Sequence, residues 1–125
     1  MSPSPDEGAP LTPLTMSLLL ALADGDLHGY ALLQEVERQS DGRLRPGTGT
    51  LYAALQRLED EGLIRPSPDL PGPGEDQRRR YFRITAAGRE AVRTEADRML
   101  GTLRTAAAKR LLPEGITAAL RDFGP

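Results

Sequence analysis

Thr48-Gly49-Thr50-Leu51-Tyr52-Ala53-Ala54-Leu55-Gln56-Arg57-Leu58-Glu59-Asp60-Glu61-Gly62 places Leu51, Ala54, Leu55 and Leu58 at i, i+3, i+4 and i+7. That period belongs to an amphipathic helix with one buried face. The helix starts at Gly47 or Thr48, and Gly62 suits the glycine position that follows a helix C-terminus. At about 100° per residue, the opposite face carries Gly49, Ala53, Gln56 and Asp60, flanked by Thr50, Tyr52 and Arg57. Small residues at its front let a helix sit deep in a groove. Gln56 and Arg57 carry donors that reach base edges. Thr48, Thr50 and the free N–H groups of the first turn can hold a phosphate, and Tyr52 can bond one or stack its ring. Asp60, repelled by DNA, lies at the far end. The same face also fits an ordinary solvated helix surface, so its neighbours decide between the two.

Upstream, Thr12-Pro13 marks a helix start, with Thr as cap and Pro at the first helical position. The following run, Leu14 to Ala23, is apolar nearly all round. Such a helix is buried on more than one side, and a second subunit is the expected cover. A second helix is expected from about His28 to Gln39, with Leu32, Leu33 and Val36 inward and His28 as a capping or packing residue. Downstream, Leu63 to Ser67 and Arg79 to Ile84 read as two strands around a Pro/Gly-rich loop. Phe82 and Ile84 share one face of the second strand, Tyr81 and Arg83 the other. Pro66 and Pro68 fit an outer edge, because their missing N–H groups face the same way. Last, Thr85-Ala86-Ala87-Gly88 opens a long helix expected to reach Leu112, stopped by Pro113. Val92, Ala96, Met99, Leu103 and Ala106 follow the a/d rhythm of a helix–helix seam. A helix of roughly 27 residues is about 40 Å long, longer than a small core, so part of this stripe is expected to meet a second copy.

Three helices, a hairpin and a long helix make a mainly α chain with a small β-hairpin wing. This is the order of a winged helix-turn-helix with a dimerisation arm, in which the third helix enters the major groove. The boundaries read as an N-terminal arm over 1–10, a DNA-binding domain over 11–85, a dimerisation helix over 86–112 and a tail over 113–125. The hairpin base carries Arg78-Arg79-Arg80 beside Tyr81, and phosphate contacts there would add affinity that falls with salt. Arg43 and Arg45 precede the third helix on the same inferred side.

The 125 residues fit one small domain, and the net charge of −2 with a pI near 5.4 argues against a surface uniformly adhesive to nucleic acid. A local Arg face, with the acids placed in the arm and around Asp24, Asp26, Glu35, Glu37, Glu59 and Glu61, would reconcile the charge with DNA. No cysteine is present and His28 is the single histidine, so thiolate chemistry, Cys-based metal sites and a His pair are excluded. Gly47-Thr48-Gly49-Thr50 lacks the Gly-Lys-Ser/Thr ending of a P-loop. No cofactor, metal or catalytic group is expected. The start carries Asp6 and Glu7, unlike a signal peptide, and the apolar run Leu18 to Ala23 is far short of the about 20 residues of a membrane span. A cytoplasmic location is expected, with no membrane partner.

Leu27-His28-Gly29-Tyr30, Gly49-Thr50-Leu51-Tyr52 through Gly62-Leu63-Ile64, and Arg79-Arg80-Tyr81-Phe82-Arg83-Ile84-Thr85-Ala86-Ala87-Gly88 resemble the PadR family of bacterial transcriptional regulators. The resemblance spans about residues 14–110 and implies the short-tailed branch, with one long C-terminal helix. It implies a homodimeric repressor on a palindromic double-stranded operator, and Tyr30, Thr50, Tyr52, Arg79 and Arg80 match DNA-facing positions. Where the family often has Ser-Pro, this chain has Gly47 and Thr48, which bears on the helix cap and on a phosphate contact there. Leu14 and Leu18 are expected to join the dimer seam. A small-molecule effector, if one exists, would lie near Leu14, Leu18, Met99 and Leu103. The competing reading is a winged-helix adaptor that binds protein instead of DNA.

Overall fold

A computed structural model of the chain describes residues 10–68 and 80–123. It falls into two units, Met1–Val92 and Arg93–Pro125. In the first, α1 spans Pro13–Leu22, β1 Leu27–His28, α2 Gly29–Gln39, α3 Thr48–Asp60, β2 Ile64–Pro66 and β3 Tyr81–Ile84. The helix α4, Ala86–Ala108, begins in it.

Local chemistry sets the ends. Thr12 caps α1, accepting from Thr15 N while Thr15 Oγ1 accepts from Thr12 N, with Pro13 at the first helical position. His28 caps α2 through Nδ1, which accepts from Ala31 N at 3.2 Å. At the end of α3, Gly62 takes the left-handed conformation at φ 77°. Its N–H donates to Glu59 O, and Leu63 N to Leu58 O, at 3.0 and 2.9 Å. These are the two bonds of a Schellman stop.

The sheet has three antiparallel strands in the order β1-β3-β2. A two-stranded hairpin was expected. The third strand is two residues long, Leu27 and His28, paired with Phe82 and Tyr81. In β2, Thr85 N donates to Leu63 O and Ser67 N to Tyr81 O. The bonded positions are therefore the odd-numbered ones, so the nitrogen of Pro66 faces away from β3 and costs no ladder bond.

The core joins Leu18, Leu19 and Leu22 of α1 with Leu32, Val36, Leu51, Leu55, Leu58, Ile64 and Phe82. Here the expected role of α1 needs correction. Its apolar perimeter is used within its own unit, because α2, α3 and β3 all pack on it. Leu18 is 0% exposed, so it belongs to this core and faces neither a partner nor a ligand cavity. Leu14 is half-buried, and Leu20 stays exposed.

In the second unit α4 ends at Ala108, four residues short of the expected Leu112. The stop is not Pro113 but Arg110, which adopts a left-handed φ of 59° while Leu111 N returns to Ala106 O at 2.9 Å. A non-glycine residue rarely takes that conformation, so nothing in the local sequence announces it. A short α5, Glu114–Leu120, and one 3-10 turn, Arg121–Phe123, follow.

Candidate nucleic-acid interface

The buried stripe of α3 is Leu51, Leu55 and Leu58, with Ala54 half-buried beside it. This anchor leaves Gly49, Thr50, Ala53, Gln56, Arg57 and Asp60 exposed. The cap of α3 is Gly47, without a side-chain bond. Thr48 is thus the first helical residue and exposed, and among the described residues no side chain caps the N–H groups of the first turn. At about 20 Å for its 13 residues, α3 has the length to span a major groove.

Tyr52 on this helix and Tyr30 on α2 are both exposed. Tyr30, the second residue of α2, is 59% exposed and Tyr52 48%. Tyr52 lies directly on Gly29: a Cβ at residue 29 would stand 2.3 Å from its hydroxyl oxygen and 2.9 Å from Cζ. Only the missing side chain of Gly29 lets the ring lie there.

Four of the long donors are engaged. Arg45 Nε lies 3.3 Å from Glu37 Oε1, and Arg57 Nε 3.5 Å from Glu61 Oε1. Gln56 Nε2 donates to Asp60 Oδ1 at 2.9 Å. Arg80 Nη2 reaches both oxygens of Glu59 at 3.2 and 3.3 Å, with Cζ 5.1 Å over the Phe82 ring. This corrects the expected charge split: Glu37, Glu59 and Glu61 sit against the arginines and not apart from them. The i,i+4 pairs were legible as spacing, whereas Glu59 and Arg80 are 21 residues apart. Arg78 and Arg79 lie outside the described residues.

A second cluster fixes the base of the wing. Arg83 donates to Asp26 from Nε at 3.1 Å and from Nη2 at 2.8 Å, and Ser67 Oγ donates to the same carboxylate. Sequence reading missed it, since its members are 41 and 57 residues apart. The Arg83 guanidinium holds the Asp26 carboxyl below its ordinary range, against the opposing effect of burial and with help from Ser67. A carboxyl depressed in the folded state stabilises the fold above its unfolded pKa, and that contribution disappears as pH falls through the folded value. Asp26→Asn is therefore expected to cost about 1–2 kcal/mol at pH 7, read by thermal unfolding. The gap to the parent narrows as pH falls below the ordinary carboxyl range and through the lowered folded value. A gap independent of pH would contradict the assignment.

Of the residues expected at a pairing seam, Val92 is half-buried against the first unit's own core. Along α4 in the second unit, Ala96 is exposed, Met99 and Leu103 are 51% and 37% exposed, and Ala106 is half-buried. Among the described residues no helix is long and apolar enough to cross a membrane, and no group of acidic or histidine side chains is placed to hold a metal ion.

Three helices, a small antiparallel sheet with its connection between β2 and β3, and a long following helix define a winged helix-turn-helix protein. Residues 18–94 match the transcriptional regulator PadR-like family, and the chain belongs to that family. It is 38% identical over 88 residues to Transcriptional regulator Rv3488 of Mycobacterium tuberculosis, covering 70% of this chain and 76% of that one. It is 48% identical over 84 residues, 67% of its length, to an uncharacterized 37.1 kDa protein in transposon TN4556 of Streptomyces fradiae, of which it spans only 22%. In structure it is similar to a transcriptional regulator from Clostridium thermocellum, with a TM-score of 0.62 at 26% identity over 80% of this chain and 90% of that one. It shares its fold with Bacillus subtilis PadR in complex with operator DNA, with a TM-score of 0.52 at 21% identity over 64% of this chain and 44% of that one.

Proposed function

We propose that this regulator is a cytoplasmic homodimer that represses transcription by reading a specific double-stranded DNA site. The observation that carries the reading is the exposed face of α3. It is small at its front, with an N-terminus whose cap makes no side-chain hydrogen bond, bears Gln56 and Arg57 behind, and is held on three buried leucines. In this reading Gly49 and Ala53 permit depth in the major groove, and Gln56 and Arg57 meet base edges. Thr48, Thr50, Tyr30 and Tyr52 bond phosphates. Arg45 and the wing arginines Arg78, Arg79 and Arg80 clamp the neighbouring backbone. Family membership and the operator complex of Bacillus subtilis PadR support the reading, and they do not favour the adaptor alternative.

Fluorescence anisotropy of a labelled duplex from upstream of the chain's own gene, over a salt series, tests it. Binding that exceeds that of a scrambled duplex and weakens with salt is the expected result; equal binding to both would sink sequence-specific regulation.

Ala96, Met99 and Leu103, apolar and exposed on one stripe of α4, support dimerisation, since a second copy would cover them. Light scattering at micromolar concentration is expected to give twice the 13.5 kDa of one chain. A mass of one chain would refute it.

A further inference from the structure

Four long donors of the proposed reading face, Arg45, Gln56, Arg57 and Arg80, each meet a carboxylate of the same chain: Glu37, Asp60, Glu61 and Glu59. We propose that two of these carboxylates, Glu37 and Glu59 on the phosphate-directed Arg45 and Arg80, are specificity-determining residues that stand in for phosphate and suppress binding to DNA of arbitrary sequence. The proposal rests on the DNA-binding reading above.

The physical basis is an exchange. An exposed ion pair is worth about 0–1 kcal/mol, so a well-placed phosphate or base edge can displace the carboxylate. The displaced carboxylate then stands near the polyanion and draws in a cation. A phosphate contact normally releases counterions, with a salt slope of about 0.9 per contact. Where the arginine is already neutralised by its own glutamate, much of that gain is cancelled. The cancellation falls on sequence-independent contacts. Base-edge hydrogen bonds, which depend on geometry, are affected less. A chain with net charge −2 thereby avoids the general adhesion of a basic surface.

Glu59 is the strongest case. It joins α3 to the wing base, both of its oxygens face Arg80 Nη2 at 3.2 and 3.3 Å, and the Arg80 Cζ stands over the Phe82 ring at 5.1 Å from its centroid. A phosphate that binds at Arg80 Nη2 competes with it.

The test compares the full-length parent, E59Q, D24N, R80A and the double variant E59Q/R80A by anisotropy over a sodium chloride series. The probes are a duplex recovered from a random-sequence pool and a scrambled duplex of equal length. Asp24 is an exposed carboxylate that holds none of the four donors, so D24N supplies the same change of net charge. E59Q is expected to bind the scrambled duplex about 3–10-fold tighter at low salt, with a salt slope steeper by about 1. The recovered duplex gains less, so the ratio between the two falls. D24N changes either affinity by under about 2-fold, and in the R80A background E59Q behaves like D24N. An E59Q effect no larger than that of D24N, or equal tightening of both duplexes, overturns the proposal. No binding of either duplex by the parent or by E59Q would instead overturn the DNA-binding reading, and the proposal with it.

Discussion

Gly88→Ala is expected to lower the unfolding midpoint by about 10–20 °C, corresponding to about 2–3 kcal/mol in a domain of this size. Gly88 is buried in the first turn of α4. A Cβ there would stand 2.2 Å from the carbonyl oxygen of Leu63 and 2.8 Å from Cγ1 of Ile84. The first obstacle is backbone and is itself fixed, since Leu63 O accepts from Thr85 N at 3.1 Å. Thr85 Oγ1 in turn accepts from Gly88 N at 3.0 Å and donates to Gly62 O at 2.7 Å. The start of α4 is thus bonded to the Schellman turn that ends α3, and a methyl group forces the two apart. In an open helix the same substitution gains about 0.5–1 kcal/mol. Gly101→Ala, where nothing lies within 4 Å, is the matched control and is expected to stabilise. Equal midpoints for the two variants would contradict the packing described.

Gly29→Ala is expected to leave the fold intact and weaken binding to the preferred duplex about 10-fold or more, the worth of a displaced charge-assisted contact. The new methyl group meets the far end of the Tyr52 side chain, 2.3 Å from its oxygen, and a half-exposed ring yields by swinging away. Stability then changes little while the Tyr52 ring leaves its place against Gly29 of α2. A double-mutant cycle isolates the effect: with Tyr52→Ala already present, Gly29→Ala is expected to add no further loss of affinity. Additive losses would mean that Gly29 acts through the α2 backbone, and unchanged affinity in the single variant would mean that Tyr52 contributes nothing where it stands.

What the sequence made legible was local and periodic. The stripe of α3, the Thr12-Pro13 cap, the stop at Gly62 and the alternation of Phe82 and Ile84 all follow from spacing within one element, and each stands as expected. What escaped has no period. A strand of two residues, Leu27 and His28, carries no alternation and exists only because β3 pairs with it. The apolar perimeter of α1 suggested a second subunit because its three covering elements are spread from α2 to β3. At the candidate site, residue types on α3 could be placed by angle alone. Their partners could not, because Glu59 with Arg80 and Asp26 with Arg83 are joined by the fold over long stretches of chain.

Sequencing of the duplexes that the purified chain retains from a random-sequence pool at moderate salt tests whether it reads a particular DNA sequence. One enriched inverted repeat is expected, with half-sites about one helical turn, or 10 base pairs, apart or a multiple of it. A retained pool indistinguishable from the input would contradict it.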